Sequence, residues 1–100
     1  MNILETLLDR GFAFRTFPAY PRHLGVEKYH CVALLELTEE GKLKLFSSAG
    51  YLLDSGEIAL LVERDQSVFV HKSKEIPAEG DVLERYRQFV RELESALDEQ

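Results

Sequence analysis

The segment Tyr29–Ser48, YHCVALLELTEEGKLKLFSS, decides how this chain folds. A run of apolar and alternating residues, Tyr29 to Thr38, stops at Glu39-Glu40-Gly41 and resumes from Lys42 to Ser48. Three loop residues with glycine at the left-handed position join antiparallel strands, so the segment predicts a β-hairpin. That loop sets Thr38 against Lys42. Side chains alternate with a period of two, so every further pair follows from it. Glu36 faces Lys44, an opposite-charge pair that supports the register. Leu35 faces Leu45 and Leu37 faces Leu43 on one side, with Leu34 facing Phe46 on the other. Both faces of the hairpin are therefore apolar.

A second hairpin is expected downstream, with Ile58 to Glu63 and Val68 to Lys72 flanking Arg64-Asp65-Gln66-Ser67. Pairing Glu63 with Val68 puts Ile58, Leu60, Val62, Phe69 and His71 on one face. Ala59, Leu61, Glu63, Val68, Val70 and Lys72 take the other. The stretch from Ala49 to Gly56 between the hairpins reads as turns. Upstream, Phe12 to Phe17 is a short strand, and Pro18 to Glu27, with two prolines and a glycine, continues as a loop of extended character.

Helices frame the strands. Asn2 caps the first, with Glu5 three residues on in a pattern close to the capping box; Ile3, Leu4, Leu7 and Leu8 form its apolar face, and Gly11 ends it. The last helix follows Pro77 and Gly80, with Asp81 as the expected cap and Glu84 three positions on. Val82, Tyr86, Phe89, Leu93 and Ala96 recur along it at alternating four and three, and Leu83, Val90 and Leu97 widen the stripe. The expectation is one α+β domain over residues 1–100: an antiparallel sheet of about five strands, a short N-terminal helix and a long amphipathic C-terminal helix packed on it.

Length and composition agree with one globular core: 100 residues, 45% hydrophobic and 30% charged. No apolar run reaches the length of a membrane span, and Met1-Asn2-Ile3-Leu4-Glu5 lacks the basic start of a signal peptide. With Cys31 as the one cysteine, an internal disulfide is impossible. A cytoplasmic protein without membrane attachment is the expectation. The net charge of -6 makes nucleic acid an unfavoured partner. Charge is nevertheless uneven, since Arg10, Arg15, Arg22 and Lys28 stand against Glu27 alone between positions 10 and 28.

Catalytic signatures are missing. There is no glycine-rich phosphate loop, paired-cysteine motif, His-Glu-x-x-His or Gly-x-Ser-x-Gly. His30 and Cys31 are strand neighbours and diverge, so they form no nucleophile–base pair, and Cys31 reads as core. His23, His30 and His71 lack metal-ligand spacing, and no cofactor is expected. Ser47, Ser48, Asp54 and Ser55 sit beside glycines where turns ordinarily place them.

Two surfaces are left for function. The first is the second sheet face, with Val32, Leu34, Phe46, Leu61, Val68 and Val70. Leaving such side chains in water forfeits about 1.5–3 kcal/mol each, so the first helix is expected to cover part of the face, and a second copy, a protein client or a ligand the rest. The second is the loop with its basic and aromatic flanks, Arg15, Tyr20, Arg22, His23, Lys28 and Tyr29, a chemistry suited to a small anionic ligand. The order helix, strands, helix in a small acidic chain resembles secretion-chaperone domains in architecture, without a shared motif and without their internal helix. The leading expectation is a non-catalytic interaction domain, adaptor or chaperone-like and homodimeric in one version. A small-ligand or anion-binding domain on residues 15–29 is the alternative, and a small Cys/His enzyme the third.

Overall fold

In a computed structural model of the chain, residues 2–100 are described, and among them are two helices and eight strands. Helix α1 (Ile3–Asp9) opens on Asn2, whose side chain accepts the Glu5 backbone N–H at 2.9 Å and donates to the Glu5 carboxylate at 3.2 Å. Gly11, at φ +88°, turns the chain out of the helix as expected. The strands β1 (Ala13–Arg15), β2 (Leu24–Lys28), β3 (Cys31–Leu37), β4 (Leu43–Leu45), β5 (Gly50–Leu52), β6 (Ile58–Val62), β7 (Val68–His71) and β8 (Lys74–Pro77) precede helix α2 (Gly80–Asp98).

All strands join one antiparallel sheet, in the order β1-β2-β3-β5-β6-β7-β8 with β4 on β3. β3 is its pivot: β2 runs along one side, while β5 meets residues 31–32 and β4 meets residues 35–37 on the other. The β3–β4 register is the expected one, with Leu35↔Leu45, Glu36↔Lys44 and Leu37↔Leu43. The Thr38 N–H donates to the Lys42 carbonyl across the turn.

Eight strands replace the five expected. β2 stands where the sequence predicts loop, because its turn to β3 is Tyr29-His30, two non-glycine residues at φ +57° and +66°. Positive φ at both central positions is the signature of a type I′ turn, usually signalled by Asn-Gly. Tyr29 and His30 are therefore turn residues and not strand residues. The loop expected up to Glu27 ends at His23, and β2 begins at Leu24. β5 is three residues long, and β8 ends in Pro77, a residue that only an edge strand tolerates.

The second hairpin also differs by one position: Val62 pairs with Val68, not Glu63. The shift brings Phe69 onto the face of Ala59 and Leu61, and sets Val68 and Val70 beside Leu60 and Val62 on the other. Its reason is packing, since Phe69 is fully buried against Ala59, Ala78 and Tyr86 of α2. α2 starts two positions earlier than Asp81 as its cap implies, with Glu79 at the N-cap and no side-chain cap bond.

Both helices lie on one face. Leu7 and Phe12 join Val26, Cys31, Ala33 and Leu35 of the sheet and Phe89, Leu93 and Ala96 of α2 in a single buried cluster. The first helix thus packs beside the last instead of covering the second face. On that second, helix-free face Phe17, Val32, Leu34 and Leu52 make a separate cluster, joined by Ile58.

Candidate binding groove on the open sheet face

The loop Thr16–His23 performs on the open face the covering that no helix performs. Two successive turns shape it: Tyr20 N–H donates to the Phe17 carbonyl at 2.8 Å, and His23 N–H to the Tyr20 carbonyl at 3.2 Å. Phe17 drops onto Gly25, which has no side chain to obstruct it. A Cβ at Gly25 would lie 2.5 Å from the Phe17 ring. Gly50 on β5 plays the same part for Ile58, whose Cγ2 lies 2.5 Å from where a Cβ would stand. Gly25 pairs with Leu34 and Gly50 with Val32, so the two bare positions flank β3 on this face.

Covering stops partway. Between the loop and the β5–β6 turn runs a groove of about 480 Å³, lined by Phe17, Tyr20, Leu34, Phe46, Ile58, Leu60 and Val70. The lining is mostly apolar, and the volume falls within the range of small-ligand clefts. Leu60 is 45% exposed and Phe46 43%, large fractions for side chains of this kind. Val62, at 37%, continues the apolar strip along β6 beyond the groove. His23 stacks over Phe46 with ring centroids 3.8 Å apart, Tyr20 approaches both rings edge-on, and the three form one wall.

Polar groups gather at the opposite end. The Glu57 carboxylate shares a hydrogen bond with His71 Nε2 at 2.5 Å and accepts from Ser55 Oγ at 3.2 Å. The bond to His71, with lesser help from Ser55 and Lys72, holds the Glu57 carboxyl below the ordinary carboxylate range. Serine and histidine both point at the carboxylate, which separates them, so they do not make the hydroxyl–imidazole contact of a nucleophile and its base.

The expected ligand-binding residues are divided between the two faces. Tyr20 and His23 line or border the groove. Arg15 pairs with Glu27 at 3.0 Å, and Arg22 is exposed on the loop. Lys28 and Tyr29 point to the helix side. Lys28 Nζ donates to Glu92 at 2.6 Å and also to the Arg10 carbonyl, Tyr29 OH donates to Glu92 at 2.8 Å, and Gln88 donates to Tyr29 OH at 3.3 Å. Burial pushes the Glu92 carboxyl up, but the bonds from Lys28 and Tyr29 outweigh it and leave it below the usual range; the same bond to Glu92 raises Lys28. This network ties the β2–β3 turn to α2.

Of the expected interaction surface, Val32 and Leu34 are buried as the floor, Phe46 and Val70 line the groove, and Val68 stands on the same face. Leu61 lies on the helix side with Phe69 and Ala59. Leu60 and Val62 take its place on the open face, a consequence of the one-position shift in that hairpin. Cys31 is 1% exposed and burial pushes its thiol up to about 11, which suppresses the thiolate. No group of three or more potential metal ligands occurs among the described residues, and no helix there is long and apolar enough to cross a membrane. Comparison with protein-family models, curated proteins and solved structures finds no match to this chain.

Proposed function

We propose that this α+β domain is a non-catalytic interaction module, adaptor or chaperone-like, that takes apolar side chains of a protein partner into the open-face groove. The observation that carries the reading is the half-exposed apolar set Phe46, Leu60 and Val62 around a groove that neither helix covers. Burial of each side chain on binding returns about 1.5–3 kcal/mol before the cost of association is subtracted. The anion-binding alternative is weaker, because Arg15 and Lys28 are already paired with Glu27 and Glu92.

A photoreactive phenylalanine at position 60, introduced in cells, tests the reading. Cross-links to a second polypeptide from position 60, and none from position 94 on the exposed side of α2, are the expected result. Equal yields from both positions, or none from 60, would refute it. A cross-link between two copies of this chain would identify the partner as a homodimer.

A further inference from the structure

We infer that Gln100 guards a pairing edge: its side-chain amide lies on the outer edge of β4 as a neighbouring strand would, and its withdrawal lets the β4 edges of two copies pair. Two bonds along the hairpin set the phase of β4. The Thr38 N–H donates to the Lys42 carbonyl and the Phe46 N–H to the Leu34 carbonyl, so residues 42, 44 and 46 turn their peptide groups toward β3. Leu43 and Leu45 therefore turn theirs away from it. At Leu43 both groups are taken: its N–H donates to Gln100 Oε1 at 2.7 Å, and its carbonyl accepts from Gln100 Nε2 at 2.6 Å. A primary amide offers the same donor and acceptor as a peptide group, and here it spends one of each on a single strand residue, as an antiparallel neighbour does. At Leu45, among the described residues, no such partner follows.

The packing of α2 holds the amide in place. Leu97 packs on the same core cluster as Leu43, and its carbonyl accepts from Gln100 Nε2 at 3.0 Å. Glu99 pairs with Arg10, just past α1. The edge needs such a guard. β8, at one end of the sheet, carries Lys74 and Pro77, whereas β4 reads Leu43-Lys44-Leu45 without proline, and its lysine is drawn to Glu36 at 3.2 Å. Leu37, 70% exposed, and Leu45, 36% exposed, stand beside the edge on the helix side of the sheet, apolar surface that an added strand would cover. A second copy is the occupant, because an antiparallel edge is complementary to itself across a two-fold axis. With the axis at Leu45, leucine meets leucine and Lys44 falls opposite a Phe46, so like charges are not opposed. That ladder needs the outer groups of Leu43, which the amide occupies. Leu43, Leu45 and Gln100 line no part of the groove, so the inference stands apart from the reading above.

Hydrogen exchange and sedimentation of the full chain test the guard and the edge together. In the wild type the Leu43 amide should be protected. Gln100→Ala should speed its exchange about five- to tenfold and leave the Ala33 amide, within β3, unchanged. In sedimentation velocity, Gln100→Ala should form a species of doubled mass as concentration rises, and the wild type should not. Adding Leu45→Pro to Gln100→Ala should remove that species, since proline deletes an outward N–H and costs β4 no bond to β3. Asp98→Ala, near the end of α2, should behave as wild type, and circular dichroism checks that each variant is folded. Equal exchange at Leu43 with and without the Gln100 amide would overturn the proposal. So would a Gln100→Ala protein that loses protection yet gains no mass, a doubled species that Leu45→Pro leaves intact, or a wild type that already forms one sensitive to Leu45→Pro.

Discussion

Replacing Gly25 by alanine should unseat the loop that walls the groove. The added methyl carbon would lie 2.5 Å from both the Arg15 carbonyl oxygen and Phe17 Cε2, with Cδ2 at 2.8 Å. Arg15 is the ladder partner of Gly25, so its carbonyl cannot retreat without parting β1 from β2. The ring is the easier group to move, and it is 4% exposed. Loss of its burial costs about 1.5–3 kcal/mol, and overpacking against the backbone adds to it, for a total of about 2–4 kcal/mol. Against a whole-domain stability of about 5–15 kcal/mol that is a large share, and it lowers Tm by about 10–25 °C. Urea titration of four proteins, wild type, Gly25→Ala, Phe17→Ala and the double variant, separates ring from backbone. Phe17→Ala alone should cost about 3 kcal/mol. With the ring gone, half of the conflict at position 25 disappears, so the double variant should be at least about 1 kcal/mol more stable than the sum of the single costs implies. Additive costs, or a Gly25→Ala protein within about 0.5 kcal/mol of wild type, would show that the ring does not occupy this seat.

Two further predictions concern the turn at residues 29–30 and its anchorage. His30→Gly removes one of the turn's two left-handed non-glycine residues and, with it, the edge-on packing of the His30 ring on Tyr51, whose centroids are 4.8 Å apart. Relief of backbone strain gains about 1 kcal/mol, while removal of the ring pair costs about 0.5 kcal/mol. Tm should therefore rise by a few degrees in a thermal melt; a fall would contradict the turn geometry. Glu92→Gln leaves Lys28 without its carboxylate and should cost about 1 kcal/mol at pH 7, a charged hydrogen bond discounted for partial exposure. Because the folded Glu92 carboxyl lies below its ordinary range, its contribution is full above the unfolded value of about 4.3 and is lost as pH falls through the folded one. The stability gap between wild type and variant should therefore close in acid. Lys28 is raised, so its contribution is full below about 10.4 and is lost only as pH rises through the folded value. A gap that does not narrow as pH falls below the unfolded carboxyl value would contradict the assignment.

Where a turn announces itself, the strands beside it are legible. Gly41 fixes the β3–β4 register pair by pair, and Asn2, Glu5 and Gly11 mark both ends of α1. Where turns use residues that prefer other conformations, the strands are invisible. Tyr29-His30 and Lys72, at φ +54°, hide β2 and β8 because nothing in their side chains advertises a left-handed backbone. The polar loop between β6 and β7 has no glycine to pin its length, and one residue decides whether Phe69 faces α2 or water. The groove itself combines both cases. Leu34 and Phe46 are legible through the well-marked hairpin, whereas Leu60, Val62 and the Glu57–His71 pair depend on the unmarked one. Gly25 is a hint in plain view, a bare position in a strand that implies close approach of something bulky.

The asymmetry between the two faces explains why the groove exists. Each helix needs an apolar surface, and the broad stripe of α2 requires the most, so Cys31, Ala33 and Leu35 on β3 and Ala59 and Phe69 on the second hairpin are all turned toward it. Small residues on that side let α2 approach closely, and α1 fits beside it through Leu7. With both helices on one side, strand alternation still delivers Val32, Leu34, Leu52, Ile58 and Leu60 to the other. Among the described residues, the loop from Thr16 to His23 is what lies over them. Its Phe17 closes the part over Gly25 and its Tyr20 reaches Phe46, but Leu60 and Val62 lie beyond it. Antiparallel sheets with one wet face ordinarily alternate to polar residues there, and these two positions do not. Apolar residues in that place are the feature on which the proposed interaction surface rests.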